Sequence, residues 1–332
     1  MITENLSRNQ SPNWQKSLAN VVRDTDTLLE LLELKPEALS YRPKNFPLRV
    51  PHSYINKMQK GNWDDPLLRQ VLPTALETEQ NIHFMLDPVG DKDSAQQKGI
   101  LQKYHGRALI LTTSHCPIHC RFCFRQHFPY DEHQAIRHEW SDCVAALAED
   151  NSISEVILSG GDPLSLSDAR LQTLCVQLEA IPHIKRLRIH TRFPLVLPER
   201  INSAFIAWIS SLSLQVVMVI HANHANELCH KTPAALLQLQ QAGVLLLNQS
   251  VLMKGVNDNT TALINLSNAL IRHHVVPYYL HVLDRVQGAA HFEVDEPMAI
   301  ALIKQLRTLL PGYMVPKLVR EIAGEASKTP IG

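Results

Sequence analysis

The sequence predicts an α/β protein: an open, partial (βα)6 TIM-like barrel preceded by a helical extension. Three observations carry that prediction. From about residue 100 onward, short β-rich apolar runs alternate with amphipathic stretches, which argues for parallel strands joined by right-handed crossovers. Six such runs are present, whereas a complete eight-stranded barrel takes about 250 residues. Finally, polar residues and glycines gather at the C-terminal ends of the runs, the edge on which parallel barrels build their sites.

The elements follow in order. Residues 1–100 hold two helical patterns, QKSLANVVRDTDTLLELLEL (15–34) and SYINKMQKGNWDDPLLRQVL (53–72), linked by the proline-rich YRPKNFPLRVP (41–51). They are expected to cover the missing quarter of a barrel formed by residues 101–332. Strands are predicted at RALILTT (107–113), SEVILSGG (154–161), RLRIHTR (186–192), LQVVMVIHAN (214–223), GVLLLNQS (243–250) and VPYYLHVLD (276–284). Between them, SDARLQTLCVQLEAI (167–181) opens on a Ser/Asp start signal, and TPAALLQLQQAG (232–243) has Pro near its start and Gly at its end. The uncharged SAFIAWISSLSLQVVMVI (203–220) raises a membrane question. Ser210, Ser211, Ser213 and Gln215 interrupt it, and its second half is β-branched, so it reads as a helix end followed by a buried strand.

Basic and acidic residues balance at 32 each, and no basic block or aromatic stripe is present, which argues against nucleic acid or anionic lipid as a partner. The polar N-terminus lacks the basic-then-apolar order of a secretory signal, so a cytoplasmic location is expected. Six cysteines in such a compartment are free thiols or metal ligands more readily than disulfides. Cys143, Cys175 and Cys229 stand singly in helix-like stretches and are expected to pack as small hydrophobes.

The remaining three are clustered. Cys116, Cys120 and Cys123 in TTSHCPIHCRFCFRQHF follow the first strand of the barrel. At the other strand ends stand SGGDP, HTR, HANH, NQS and Asp284. His221 and His224, three residues apart, are candidate metal ligands or ordinary strand-end histidines. The spacing Cys-x3-Cys-x2-Cys wraps one short loop round a sulfur-loving centre. Zinc would need a fourth ligand, for which His115, His119 and His127 are candidates, and no second Cys-x2-Cys knuckle follows. Three thiolates suit a 4Fe-4S cluster with its fourth iron open.

At these residues the chain resembles the radical S-adenosylmethionine superfamily, whose signature Cys-x3-Cys-x-aromatic-Cys is matched with Phe122 before Cys123. From about Arg49 to Pro330 it resembles one branch, the lysine 2,3-aminomutases, through KYHGRALILTTSHCPIHCRFCFR, LRIHTRFPLVLPERI, HANHANE, LLNQSVLMKGVNDN, PYYLHVLDRVQGAAHF and SKTP. Within that branch it is similar to the short bacterial forms that make β-lysine for attachment to elongation factor P.

The resemblance implies a partial-barrel isomerase that moves the amino group of L-lysine from C2 to C3. It implies three cofactors: the cluster, S-adenosylmethionine and pyridoxal 5'-phosphate. Ser159, Gly160, Gly161 and Asp162, with His221 and Gln249, match positions lining the S-adenosylmethionine pocket. Lys328 aligns with the lysine that forms a Schiff base with pyridoxal phosphate, and Arg107, Lys103 and Tyr104 match positions at that cofactor. Arg125 matches the arginine that grips the substrate carboxylate. Asp284 matches the acid that meets the substrate ammonium, with Glu321 as a second acid where longer relatives have aspartate. Implied partners are an electron donor such as flavodoxin or ferredoxin and, functionally, an elongation factor P lysyl ligase; a homo-oligomer is left open.

Longer clostridial-type relatives continue past the Schiff-base lysine and draw on that extension for a zinc site. Here four residues follow Lys328 and Asn259 stands where those relatives have a cysteine, so no zinc is expected. The alternatives are a glutamate-type aminomutase, a radical enzyme without pyridoxal phosphate, and a non-catalytic iron–sulfur carrier or zinc module. Two acids facing a glutamate side chain would repel it.

Overall fold

A computed structural model describes residues 14–35, 46–94, 99–130 and 140–332. Its frame is a nine-stranded sheet in sequential order: β1 (Ile100–Tyr104), β2 (Arg107–Thr113), β3 (Glu155–Gly160), β4 (Arg186–Thr191), β5 (Gln215–Ile220), β6 (Leu245–Val251), β7 (Val276–His281), β8 (Lys317–Arg320) and β9 (Thr329–Pro330). Strands β2 to β8 run parallel, and β1 and β9 lie antiparallel at the two edges. The result is the partial barrel, with no pairing of β9 to β1.

All six predicted strands are present as β2 to β7. Strand β8 adds a seventh parallel member; KLVR is too short to display a period and follows Pro316 directly. The two-residue β9 exists through its partner, pairing Val319 with Pro330 and Arg320 with Thr329.

The N-terminal helices are shorter than the periodicity predicts. The first stretch divides into α1 (Trp14–Ala19) and α2 (Thr25–Leu31), because Val22 leaves the helix to bridge Val50 and Asp24 then caps a new start through Thr27 N at 2.8 Å. The second divides into α3 (His52–Ile55) and α4 (Pro66–Arg69). Gly61 takes a positive φ of 70°, and Asp65 accepts from Leu67 N and Leu68 N to begin α4. Leu28, Leu29, Val50, Tyr54, Leu67 and Leu68 are fully buried in one core that also contains Ile110, Val156 and Met218 of the sheet. Burial of this kind contributes about 1.5–3 kcal/mol per large apolar side chain.

The crossover helices pack outside the sheet: α5 (Ser141–Glu149), α6 (Asp168–Glu179), the single-turn α7 (Phe193–Val196), α8 (Ser203–Ser211), α9 (Thr232–Gln241), α10 (Thr260–Arg272) and α11 (Glu296–Leu309). Start signals act as expected: Ser167 caps α6, and α9 has proline in its first turn. Residues 203–220 form α8 followed by β5, and no described helix is long and apolar enough to cross a membrane. Cys143 and Cys175 are buried in the core, while Cys229 is half-buried with its Sγ 3.0 Å from Asn226 O.

Candidate active site

The C-terminal ends of the parallel strands open on a cavity of about 290 Å³. Every residue that the resemblance assigned to a cofactor or substrate lines it, from Lys103 on β1 to Lys328 beside β9, whereas the candidate metal ligands His115, His119, His127 and His224 do not. The cavity has two differently built ends.

At one end lies the cysteine loop. It is docked by backbone contacts: Gly161 N donates to Thr113 O at 2.6 Å, and Asp162 N donates to His115 O at 2.7 Å. These distances require the two glycines. Gly160 has φ +116°, and a Cβ on Gly161 would lie 2.4 Å from His115 O. The glycines thus allow the end of β3 to approach the cysteine loop closely. Asp162 is buried, and its carboxylate accepts from Thr191 Oγ1 (2.7 and 2.9 Å), Arg192 N (2.7 Å) and Leu164 N (3.1 Å), joining the ends of β3 and β4. Burial outweighs these donors and lifts its carboxyl to about 6.

The N-terminal segment braces the loop from outside. His119 N donates to Arg49 O, Arg121 N to Gln70 O, and the Arg121 guanidinium forms a buried ion pair with Glu77. The loop histidines are turned to other partners: His119 stacks on Phe46 with its Nδ1 2.8 Å from Pro47 O, His127 Nε2 is 3.2 Å from Gln287 O, and His115 Nδ1 is 3.3 Å from Thr113 Oγ1. Among the described residues no group of three His, Cys, Asp or Glu side chains is arranged to hold a metal ion. His221 and His224 also diverge, since His224 caps the turn after β5 through Asn226 N.

The other end is a network of charged side chains. Asp91, 1% exposed, accepts from Arg125 Nε and pairs with Lys103 Nζ, both at 2.6 Å. Arg125 Nη1 also reaches Ser159 Oγ at 3.1 Å, and Lys103 Nζ reaches Val89 O at 2.7 Å and Glu321 Oε1 at 3.5 Å. Glu321 takes the Tyr104 hydroxyl at 2.6 Å on one oxygen and the Lys328 ammonium on the other. Lys328 is held in this place because Ile331 N donates to Leu318 O and Ile331 is buried beside α11. The Arg107 guanidinium lies 4.7 Å over the Tyr104 ring, with no carboxylate partner among the described residues.

Asp284 has no ion pair among the described residues, and burial pushes its carboxyl up to about 7. Glu321 is held below the usual carboxylate range: burial raises it, but the pull of Lys328 and the other donors prevails. Gln249 points into the cavity because side chains alternate along β6, while its neighbour Asn248 faces away and ties Ala222 to Ser250.

Sequence reasoning missed Asp91 and His281 and gave His190 and Asn223 no role beyond their places in the strand-end motifs HTR and HANH; all four line the cavity. His190, His221 and His281 carry buried Nε2 atoms without partners among the described residues, and burial keeps all three imidazoles neutral. Asp91 gave no signal because it lies in an irregular segment; His190 and His281 are strand residues whose inward phase was legible only with the register in hand.

Comparison with known proteins decides the family. A model of a 4Fe-4S single cluster domain matches residues 105–191, which include all three clustered cysteines. An L-lysine 2,3-aminomutase of Escherichia coli K12 is 50% identical over 323 residues, covering 96% of this chain and 94% of that protein. One from Haemophilus influenzae is 44% identical, covering 96% of each. The chain belongs to the lysine 2,3-aminomutase family. It is therefore an isomerase of the radical S-adenosylmethionine superfamily. The aminomutase match also takes in most of the segment before Arg49, which the motifs alone did not reach. Among solved structures, Streptococcus suis SuiB bound to S-adenosylmethionine is similar at 14% identity and a TM-score of 0.47, over 70% of this chain and 53% of that one.

Although the three thiols are not arranged round a single metal ion, the donor chemistry of this aminomutase family member suits an iron–sulfur cluster, in which each cysteine binds a different iron. Burial lifts the Cys123 thiol to about 12 and the Cys116 thiol well above its ordinary range, and neighbouring thiols add to both shifts. Three crowded thiolates in such a place need a cationic centre to share their charge, which cluster iron supplies.

Proposed function

We propose that this protein converts L-lysine to β-lysine by moving the α-amino group to C3, using a 4Fe-4S cluster, S-adenosylmethionine and pyridoxal phosphate. The observation that carries the reading is that Cys116, Cys120, Cys123 and Lys328, the last more than 200 residues away in sequence, line one cavity.

When bound, the cluster supplies the electron that cleaves S-adenosylmethionine, and pyridoxal phosphate carries the migrating nitrogen. The chain's own residues do the rest. Cys116, Cys120 and Cys123 hold the cluster, and Ser159, Gly160, Gly161, His221 and Gln249 form the wall against which S-adenosylmethionine rests. Asp162 keeps β3 and β4 in register beneath it. Lys328 is the anchor for pyridoxal phosphate. Arg107, without a carboxylate partner among the described residues, suits the phosphate, with Tyr104 beneath it. Lys103 is already committed to Asp91, Val89 O and Glu321, so its part is to bridge the two acids.

The substrate is held at both ends. Arg125 presents a guanidinium whose orientation is set by Asp91 and Ser159, ready for the lysine carboxylate. The side-chain ammonium goes to Asp284 and Glu321. Glu321 pairs with the Lys328 ammonium in this structure; with Lys328 bound to pyridoxal phosphate, that free ammonium would be absent and Glu321 would be open to the substrate's. Two acids in a water-poor cavity favour lysine over glutamate.

Residues 1–100 serve as a cover that braces the cysteine loop, and residues 101–332 as the barrel with its lysine-bearing C-terminal strand. Similarity to the short bacterial forms supports a supply of β-lysine for elongation factor P, with a flavodoxin- or ferredoxin-like protein as the electron source. The test is an anaerobic assay with reductant, S-adenosylmethionine and pyridoxal phosphate, comparing lysine with glutamate. β-Lysine is the expected product; faster turnover of glutamate would overturn the substrate assignment.

A further inference from the structure

Arg192, immediately after β4, is 6% exposed and reaches in two directions. Its Nη1 donates to Cys120 Sγ at 2.8 Å. Its Nη2 donates to Glu227 Oε2 at 2.6 Å, to Gln70 Oε1 at 3.1 Å and to the Tyr54 hydroxyl at 3.4 Å. Glu227 is fully buried and also accepts from Asn223 N and His224 N. A fixed cation therefore touches one sulfur of the cysteine loop, and a fixed anion stands directly behind it.

We propose that the Arg192–Glu227 pair sets the reduction potential of the cluster through the hydrogen bond to Cys120 Sγ. The inference rests on the cluster assignment above. Reduction adds one electron to a centre whose negative charge is spread over its cysteine sulfurs. A donor and positive charge at one sulfur stabilise the reduced form and raise the potential, and a nearby carboxylate opposes this. Burial strengthens both effects. A merely structural arginine would be accounted for by Glu227, Gln70 and Tyr54. The second Nη, spent on sulfur, is what those contacts leave unexplained. Arg192 is thus a positioning residue that acts through the cluster ligand.

The test is a reductive titration of the anaerobically reconstituted, full-length protein without S-adenosylmethionine. Dithionite is the electron donor, redox mediators set the potential, and the reduced cluster is read by electron paramagnetic resonance alongside iron and sulfide content. Arg192→Gln should lower the midpoint potential and Glu227→Gln should raise it. The double variant, which leaves no unpaired buried charge, should fall between them, and Arg192→Lys should restore most of the wild-type value. A purely structural role would change the iron content or melting temperature and leave the potential of the remaining cluster unchanged. Should Arg192→Gln fail to fold, Glu227→Gln and the charge-neutral double variant decide the matter. Unmoved potentials, or shifts of Arg192→Gln and Glu227→Gln in the same direction, would overturn the proposal. Wild-type protein that reconstitutes with no iron and sulfide would overturn the cluster assignment itself, and the proposal with it.

Discussion

The two ends of the cavity are held by different forces. At the cysteine end, main chain docks on main chain, with Gly161 N on Thr113 O, Asp162 N on His115 O and a Cβ excluded at 2.4 Å, and the Arg121–Glu77 ion pair braces the loop from outside. At the lysine end, side chains from the segment before β1, β1 itself, the cysteine loop and the residues between β8 and β9 are joined by charge, through Asp91, Lys103, Arg125, Glu321 and Lys328. Backbone packing is rigid and suits a centre that must not move. An ion-pair network can exchange partners, as a site must when a substrate ammonium replaces that of a lysine.

The contrast predicts separable damage. The largest effect belongs to Cys116→Ala, Cys120→Ala or Cys123→Ala: iron content and turnover should both be lost while pyridoxal phosphate is still retained, as its absorbance will report. Lys328→Ala is the converse, with turnover abolished, the cofactor chromophore lost and iron content at the wild-type level. A protein that lost both cofactors in either variant would show that the ends are not independent. Next comes Gly161→Ala, where the added methyl collides with backbone; overpacking of this kind costs about 1–3 kcal/mol. It should lower the melting temperature and iron retention and leave cofactor absorbance at Lys328 unchanged.

These ends also differ in how far they could be read from sequence. The cysteine loop, SGGDP and the six parallel strands are local patterns, and each lies where its motif and period indicate. The bracing of that loop by Glu77 and Gln70 is not local and left no trace in composition. At the lysine end, Lys328 and Glu321 were identified singly through resemblance, but their pairing depends on β9, a strand of two residues that no periodicity can reveal. Asp91, the hub between Lys103 and Arg125, sits in an irregular segment where an aspartate is ordinarily a turn residue.

Smaller effects sharpen the lysine end. Asp284→Asn should raise KM for lysine by roughly ten- to a hundredfold, the worth of a charged hydrogen bond of about 1.5–3 kcal/mol, with a lesser change in kcat. Glu321→Gln should act in the same direction. An unchanged KM in both variants would remove the acids from the ammonium site. The pH dependence follows from Asp284, whose carboxyl is raised to about 7. Below that pH it is protonated and cannot pair with an ammonium, so lysine affinity should rise with pH through about 7 and then level off, by at most about tenfold per unit. The limb should vanish in Asp284→Asn.

The central claim is that the cavity holding the three cysteines also holds a cofactor on Lys328. Borohydride reduction of the cluster-loaded protein, followed by peptide mapping of the pyridoxyl label, tests it most directly. The label is expected on Lys328 in the C-terminal peptide; a label on Lys254 or Lys317 would contradict it.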